Sequence, residues 1–344
     1  MSRRDPDPSL NDTPYATDEF HGMPYRRLGT SGLRVPAVGV GTWKFGYPET
    51  GDASRSDEET SLAILDASYD EGAVFWDTAN RYNNGSGNSE RILGTWFEAN
   101  PGKRRDIVLA TKVHGGMDGV TPNHGGLSRL QIIEGVKACL ERLAVDWIDM
   151  LWFHRFDEDT PVEESLETVE DLVERGWVHY LGVSNFTTGN VTTYLDVASR
   201  LSRRCRPIAV QNRFDALHGE QHEGVLELCA TDAIAYVPYS PLAQGLLSDR
   251  YVDETRVSQG DRLRDEGTEI SDSDRAAIRR LGELSRQWGV PASQLTLAYT
   301  LTLPGMGPMI PSSSTPEQAR ANAAAGKLQL SGEQTDALRE VFGR

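Results

Sequence analysis

The chain has 344 residues, 51 of them acidic and 35 basic, for a formal net charge of −16. Such an acid excess repels phosphate backbones and argues against a nucleic-acid binder. A hydrophobic content of 38%, with 9 Phe and 7 Trp, excludes an acidic disordered chain.

Only five basic residues are lysines: Lys44, Lys103, Lys112, Lys137 and Lys327. Acid excess with scarce lysine resembles the composition of proteins adapted to high salt, where self-repulsion keeps a chain soluble after salt screens charge. Cys139, Cys205 and Cys229 have no CxxC spacing, so neither a disulfide framework nor a zinc ribbon is expected. Residues 1–22 are polar, carry Pro6, Pro8 and Pro14, and lack an apolar h-region; they read as a flexible tail without a secretory signal. Residues 23–344 read as one domain. The longest apolar runs, such as 148–153, are too short to span a bilayer, so a cytoplasmic protein without membrane contact is expected. The oligomeric state is left open.

From Pro24 onward, short β-branched or aromatic runs alternate with helical patterns. A strand over Ala37–Thr42 precedes a helix opened by Ser56-Asp57-Glu58-Glu59, with Leu62, Leu65 and Tyr69 on one face. A strand over Val74–Asp77 precedes a helix opened by Asn88-Ser89-Glu90. Ile107–Lys112 leads to a helix over Ser128–Leu143, and Ile148–His154 to one with Pro161 in its first turn. Strands over Val178–Ser184, Ile208–Asn212 and Ile234–Tyr239 alternate with helices over Val191–Leu201, Gln221–Ala230, Ser273–Trp288 and Pro291–Thr302. A short strand over Pro308–Ile310 and a helix over Pro316–Ala324 complete the set.

Eight strands, each followed by a helix, point to an α/β fold, a closed (β/α)₈ TIM barrel with extra helices. A doubly wound sheet would carry GxGxxG after its first strand; here that place reads Gly39-Val40-Gly41-Thr42-Trp43-Lys44. The stretches His114–Gly126 and Gly245–Ile270 are long enough to be binding loops.

In such barrels, polar residues at the C-terminal strand ends carry the chemistry. Those ends supply Asp77, Lys112, His154, Ser184, Asn185, Gln211, Asn212 and Tyr239, with Tyr82 just beyond Asp77. A lysine beside a tyrosine favours the phenolate and lowers its pKa from about 10. A carboxylate holds the lysine charged, and a neutral histidine donates to a carbonyl oxygen. This set is a general acid for carbonyl reduction that lacks a reductant, so a cofactor must carry the hydride. Trp43, Phe45 and His114 are expected to wall a substrate pocket. His218-Gly219-Glu220-Gln221-His222 lacks the glutamate that a zinc metalloprotease helix needs directly after its first histidine, and no metal is expected there or at His114 and His124.

Several segments resemble the aldo-keto reductases in the order that family has them. They are Tyr25–Pro36, like that family's opening β-hairpin, Gly39–Trp43, Phe75–Tyr82, Ser89–Gly94, Ala110–Lys112, Ile148–Arg155, Gly182–Phe186, Gln211-Asn212, Tyr239–Leu247 and Ile310–Ser314. The resemblance implies an oxidoreductase that passes hydride between NADPH or NADH and a small-molecule carbonyl: an aldehyde, ketone or sugar. It implies a tetrad of Asp77, Tyr82, Lys112 and His154, with Tyr82 as general acid. Ser184, Asn185 and Gln211 match carboxamide contacts and Tyr239 the ring under the nicotinamide. Ser240, Leu242 and Gly245 match the pyrophosphate loop, and Asn322 an adenine contact. Gly41, Thr42, Trp43, Asp77 and Ile310 complete the expected cofactor surface. Where the family often carries a basic residue for the 2′-phosphate, this chain has Ser312, Ser314 and Gln318, with Arg320 the nearby cation in sequence. A regulatory subunit like the potassium-channel β-subunits is the alternative within the same resemblance.

Overall fold

A computed structural model describes residues 18–343 apart from 86, 118, 253–256 and 258–261. The chain opens with a small antiparallel sheet of β1 (Glu19–Phe20), β2 (Met23–Arg27) and β3 (Arg34–Pro36). Glu19 pairs with Pro24 and Phe20 with Met23, so residues 19–22 belong to this sheet rather than to the expected tail; residues 1–17 lie outside the described ones.

The parallel strands follow the order of the chain. They are β4 (Val40–Gly41), β5 (Phe75–Asp77), β6 (Val108–Val113), β7 (Ile148–Phe153), β8 (Val178–Ser184), β9 (Pro207–Asp215) and, after the short β10 (Gly219–Glu220), β11 (Ala235–Tyr239). Each pairs with its sequence neighbour, except that β11 bypasses β10, which folds back antiparallel on β9. The eighth stave is too irregular to form a named strand. Residues 305–311 still close the ring: Tyr236 N donates to Gly305 O at 2.9 Å, Met309 N to Ala37 O at 3.0 Å and Gly39 N to Met309 O at 2.8 Å. The first stave pairs regularly only over Val40–Gly41, not over the whole expected Ala37–Thr42.

The intervening helices are α1 (Glu58–Asp70), α2 (Asn88–Ala99), α3 (Arg129–Leu143), α4 (Val162–Glu174), α5 (Thr188–Arg200) and α6 (Val225–Asp232). Short α7 (Asp249–Val252) and α8 (Arg262–Asp265) lie in the long loop after β11, followed by α9 (Asp272–Trp288), α10 (Ala292–Thr300) and α11 (Pro316–Lys327). Side-chain caps fix the starts: Asp57 accepts from Thr60 N, Ser128 from Gln131 N, and Thr187 forms a capping box with Asn190. A last helix, α12 (Gly332–Phe342), begins with the capping box Ser331–Gln334 and was not anticipated from the apolar pattern.

Apolar burial is divided into three parts. One cluster fills the space between the strands and the surrounding helices, and a second joins α9, α10 and α12 to Leu246, Leu247 and Tyr251. The third lies within the barrel, where Phe75, Met150, Trp152, Val237 and Ile310 plug the space beneath the catalytic end. Gly182 makes that plug possible: a Cβ there would come within 2.3 Å of the Trp152 ring. Among the described residues, no helix is long and apolar enough to cross a membrane.

Candidate active site

The C-terminal strand ends converge on one cleft of about 1010 Å³. At its floor, Asp77 ends β5 and Lys112 lies near the end of β6. Parallel pairing brings those two ends together. Lys112, only 1% exposed, donates to Asp77 Oδ2 at 2.5 Å, Thr78 O at 2.8 Å and the Tyr82 hydroxyl at 2.7 Å. All three ammonium N–H donors are therefore satisfied. Tyr82 in turn donates to Asp77 Oδ2 at 3.2 Å, and Gln211 Nε2 donates to Asp77 Oδ1 at 2.8 Å. His154 follows β7 and faces Tyr82 edge to face, with ring centroids 6.0 Å apart.

The electrostatics differ in one respect from the sequence expectation. Burial pushes the Tyr82 phenol well above 10, and Asp77 adds to the rise, so the neighbouring lysine does not win. Burial lowers the Lys112 ammonium, with Asp77 opposing that shift. His154 is pushed down to about 3 by burial first and by Lys112 second, which keeps its imidazole neutral. The set is therefore a protonated phenol beside a neutral imidazole, with a buried ion pair behind the phenol.

Along one side, Ser184 ends β8 and Asn185 follows it. Asn185 donates to His154 O at 2.9 Å and accepts from the Tyr239 hydroxyl at 3.0 Å. Asn185, Ser240 and Gln244 line the cleft with φ of 58°, 57° and 57°, left-handed backbone that costs a non-glycine residue energy and often marks a binding site. Gln244 Oε1 is buried without a hydrogen-bond partner, a polar atom left for something bound in the cleft. These features, with the cleft's size, fit an extended dinucleotide lying between Tyr239 and the 310–322 segment.

The cleft gathers nearly every residue expected from the sequence: Gly41, Trp43, Asp77, Tyr82, Lys112, His154, Ser184, Asn185, Gln211, Tyr239, Ser240, Leu242, Gly245, Ile310, Ser312, Ser314, Gln318 and Asn322. Four fall outside its lining. Asn212 is fully buried, its Nδ2 donating to Phe186 O at 2.8 Å and its Oδ1 accepting from Phe186 N at 3.1 Å. Thr42 is fully buried, its hydroxyl donating to Asp77 O and meeting Ser89 Oγ, so it ties β4 to β5 beneath the site. Phe45 is 1% exposed and packs in the outer core because the chain after Trp43 turns back through the Phe45–Ser56 bridge. His114 sits where the loop after β6 leaves the barrel, with Asp157 and Arg155 as charged neighbours, and from there it adds to the depression of the His154 imidazole.

Sequence reasoning missed the cleft's cations. Arg55, Arg81, Arg213 and Arg250 line it, while Arg320 does not. Lys44 also lines it, with Nζ 2.7 Å from Ser314 Oγ across 270 residues of chain. Its position directly after Gly41-Thr42-Trp43, in a chain with five lysines, was the available signal.

This barrel, with Asp77, Tyr82, Lys112 and His154 brought together at its C-terminal end and a cleft beside them, matches the class of NAD(P)H-dependent, carbonyl-reducing oxidoreductases. The aldo/keto reductase family profile matches residues 37–342, and the chain belongs to that family. It is 30% identical to the versiconal hemiacetal acetate reductase of Aspergillus parasiticus, over 93% of this chain and 97% of that one. It is 32% identical to an aldo-keto reductase of Alternaria alternata, over 92% and 91%. A probable voltage-gated potassium channel β-subunit of Arabidopsis thaliana is 31% identical, over 88% and 91%.

Proposed function

We propose that this protein reduces an aldehyde, ketone or sugar carbonyl, with Tyr82 as general acid. The observation that carries the reading is the Lys112–Tyr82–Asp77 network with His154 against the same phenol. His154, neutral, donates a hydrogen bond to the carbonyl oxygen and orients it toward Tyr82. Tyr82 gives that oxygen its proton as the carbonyl carbon takes up hydride, and an alcohol results. Lys112 stabilises the phenolate left behind, and Asp77 holds Lys112 in place. Nicotinamide, when bound, supplies the hydride. Ser184, Asn185 and Gln211 would hold its carboxamide, and Tyr239 would pack against its ring.

The cofactor in this reading is NADPH in preference to NADH. Lys44 beside Ser314 supplies a cation to the 312–318 stretch, which has no basic residue of its own. Fluorescence titration of both cofactors tests the preference. Lys44→Met should weaken NADPH about tenfold and NADH little, one charge-assisted hydrogen bond being worth that much. Equal losses for both, or tighter NADH binding by the unaltered protein, overturn it. The setting in this reading is a salt-rich cytoplasm, supported by the net charge of −16.

The likeness to channel β-subunits favours a second reading, a cofactor-sensing regulatory subunit. Steady-state consumption of NADPH at 340 nm with a carbonyl panel separates the two: turnover supports the reductase, while tight cofactor binding without turnover supports the sensor.

A further inference from the structure

Cations in the cleft are mostly committed to partners. Lys112 pairs with Asp77, Arg55 lies 3.9 Å from Glu266, Arg213 lies 4.0 Å from Asp215, Lys44 donates to Ser314, and Arg250 also has a partner. Arg81 differs. Among the described residues no carboxylate pairs with it, and its one hydrogen bond is from Nη1 to the main-chain carbonyl of Gly116, at 2.6 Å. That bond fixes the guanidinium without neutralising it. The other N–H donors of the fork are left for a ligand.

Location gives this residue its meaning. Arg81 directly precedes Tyr82 and lines the same cleft. It packs against the loop that leaves β6: a Cβ on Gly115 would lie 3.4 Å from the Arg81 Cβ. Trp43 is held on this side by the bond from Asn83 Nδ2 to its carbonyl, at 2.7 Å. Segments 240–245 and 312–318, which the reductase reading gives to the cofactor's phosphates, come from other strand ends, and Lys44 donates to Ser314 in the second. A guanidinium without a carboxylate partner, on the wall of the cleft that holds Tyr82 and in a chain of net charge −16, raises the local concentration of anions in that cleft.

We infer that the carbonyl substrate carries an anionic group, a carboxylate or a phosphate, which Arg81 binds while Tyr82 and His154 engage the carbonyl oxygen. The inference rests on the reductase reading and names the substrate class of that same site.

The test compares kcat/KM for para-formylbenzoate with that for its methyl ester, and repeats the comparison with short ω-carboxy aldehydes and their esters. Each pair differs in charge at matched carbonyl chemistry. The free acid should be preferred at least tenfold in one pair. Arg81→Gln should remove most of that preference through the KM of the acid, and Arg81→Lys should restore part of it. Melting curves of both variants verify folding; Arg81 is exposed, so neither change disturbs the core. Equal efficiency for acids and esters in every pair, or a preference unchanged in Arg81→Gln, overturns the inference and leaves the reductase standing. Absence of turnover with all of these aldehydes overturns the reductase reading, and the inference falls with it.

Discussion

Lys112 and Asp77 form an ion pair with Nζ 2.5 Å from Oδ2, both side chains no more than 2% exposed. Neither charge can be removed alone without leaving the other uncompensated in the barrel floor. Asp77→Asn should therefore lower stability by about 3–5 kcal/mol, and Lys112→Met by a comparable amount. The double variant should be more stable than the sum of the two losses implies. Chemical denaturation of the three variants measures that coupling; strictly additive losses would mean that the pair is not energetically linked.

Tyr82→Phe removes the proton donor and keeps the ring. Reduction should fall by about two to four powers of ten, the range for a positioned acid, mostly in kcat. Cofactor affinity by fluorescence titration should change little. Near-normal turnover in this variant would remove Tyr82 from the mechanism.

The pH profile follows from the two shifts. The His154 imidazole is held down to about 3, so it stays neutral and donating at ordinary pH and contributes no acid limb between pH 5 and 8. The Tyr82 phenol is raised above 10, so the acid stays protonated through neutrality. Reduction should be flat across that window and decline only on the alkaline side as the phenol ionises. A kcat that titrates near pH 6.5, an ordinary histidine value, would contradict the first part.

Gly182→Ala inserts a methyl 2.3 Å from the Trp152 ring in the barrel plug. Overpacking of this kind costs about 1–3 kcal/mol. The thermal midpoint should fall, and Trp152→Leu in the same chain should restore part of it by vacating the contested space. A midpoint unaffected by Gly182→Ala would indicate a plug able to shift.

Much of this architecture is legible along the chain because its signals are local. The apolar spacing of α3 and α4, the caps Asp57 and Ser128, and the apolar runs of β7 and β8 each depend on residues a few positions apart, whereas the helix expected from Val191 begins at Thr188 behind the Thr187 cap. The eighth stave was read as a strand over 308–310, yet it closes the ring through scattered bonds from 305 to 311 that only its partners on both sides define. Phe45 and His114 were expected in the pocket because they follow strand ends. The turn after Trp43 carries Phe45 into the outer core, and His114 lies outside the cleft lining near Asp157. No spacing rule encodes either path.

The sequence by itself determined the alternation of elements, the residue types at the strand ends, and the family. These follow from periodicity and from short motifs in a fixed order. Tertiary structure decided the direction of the Tyr82 shift, because burial outweighed the lysine next to it. It also decided that Lys44 reaches Ser314, and that Arg81 has no carboxylate partner among the described residues. Desolvation and charge pairing depend on distance in space, and the residues concerned lie on different strands brought together only when the barrel closes.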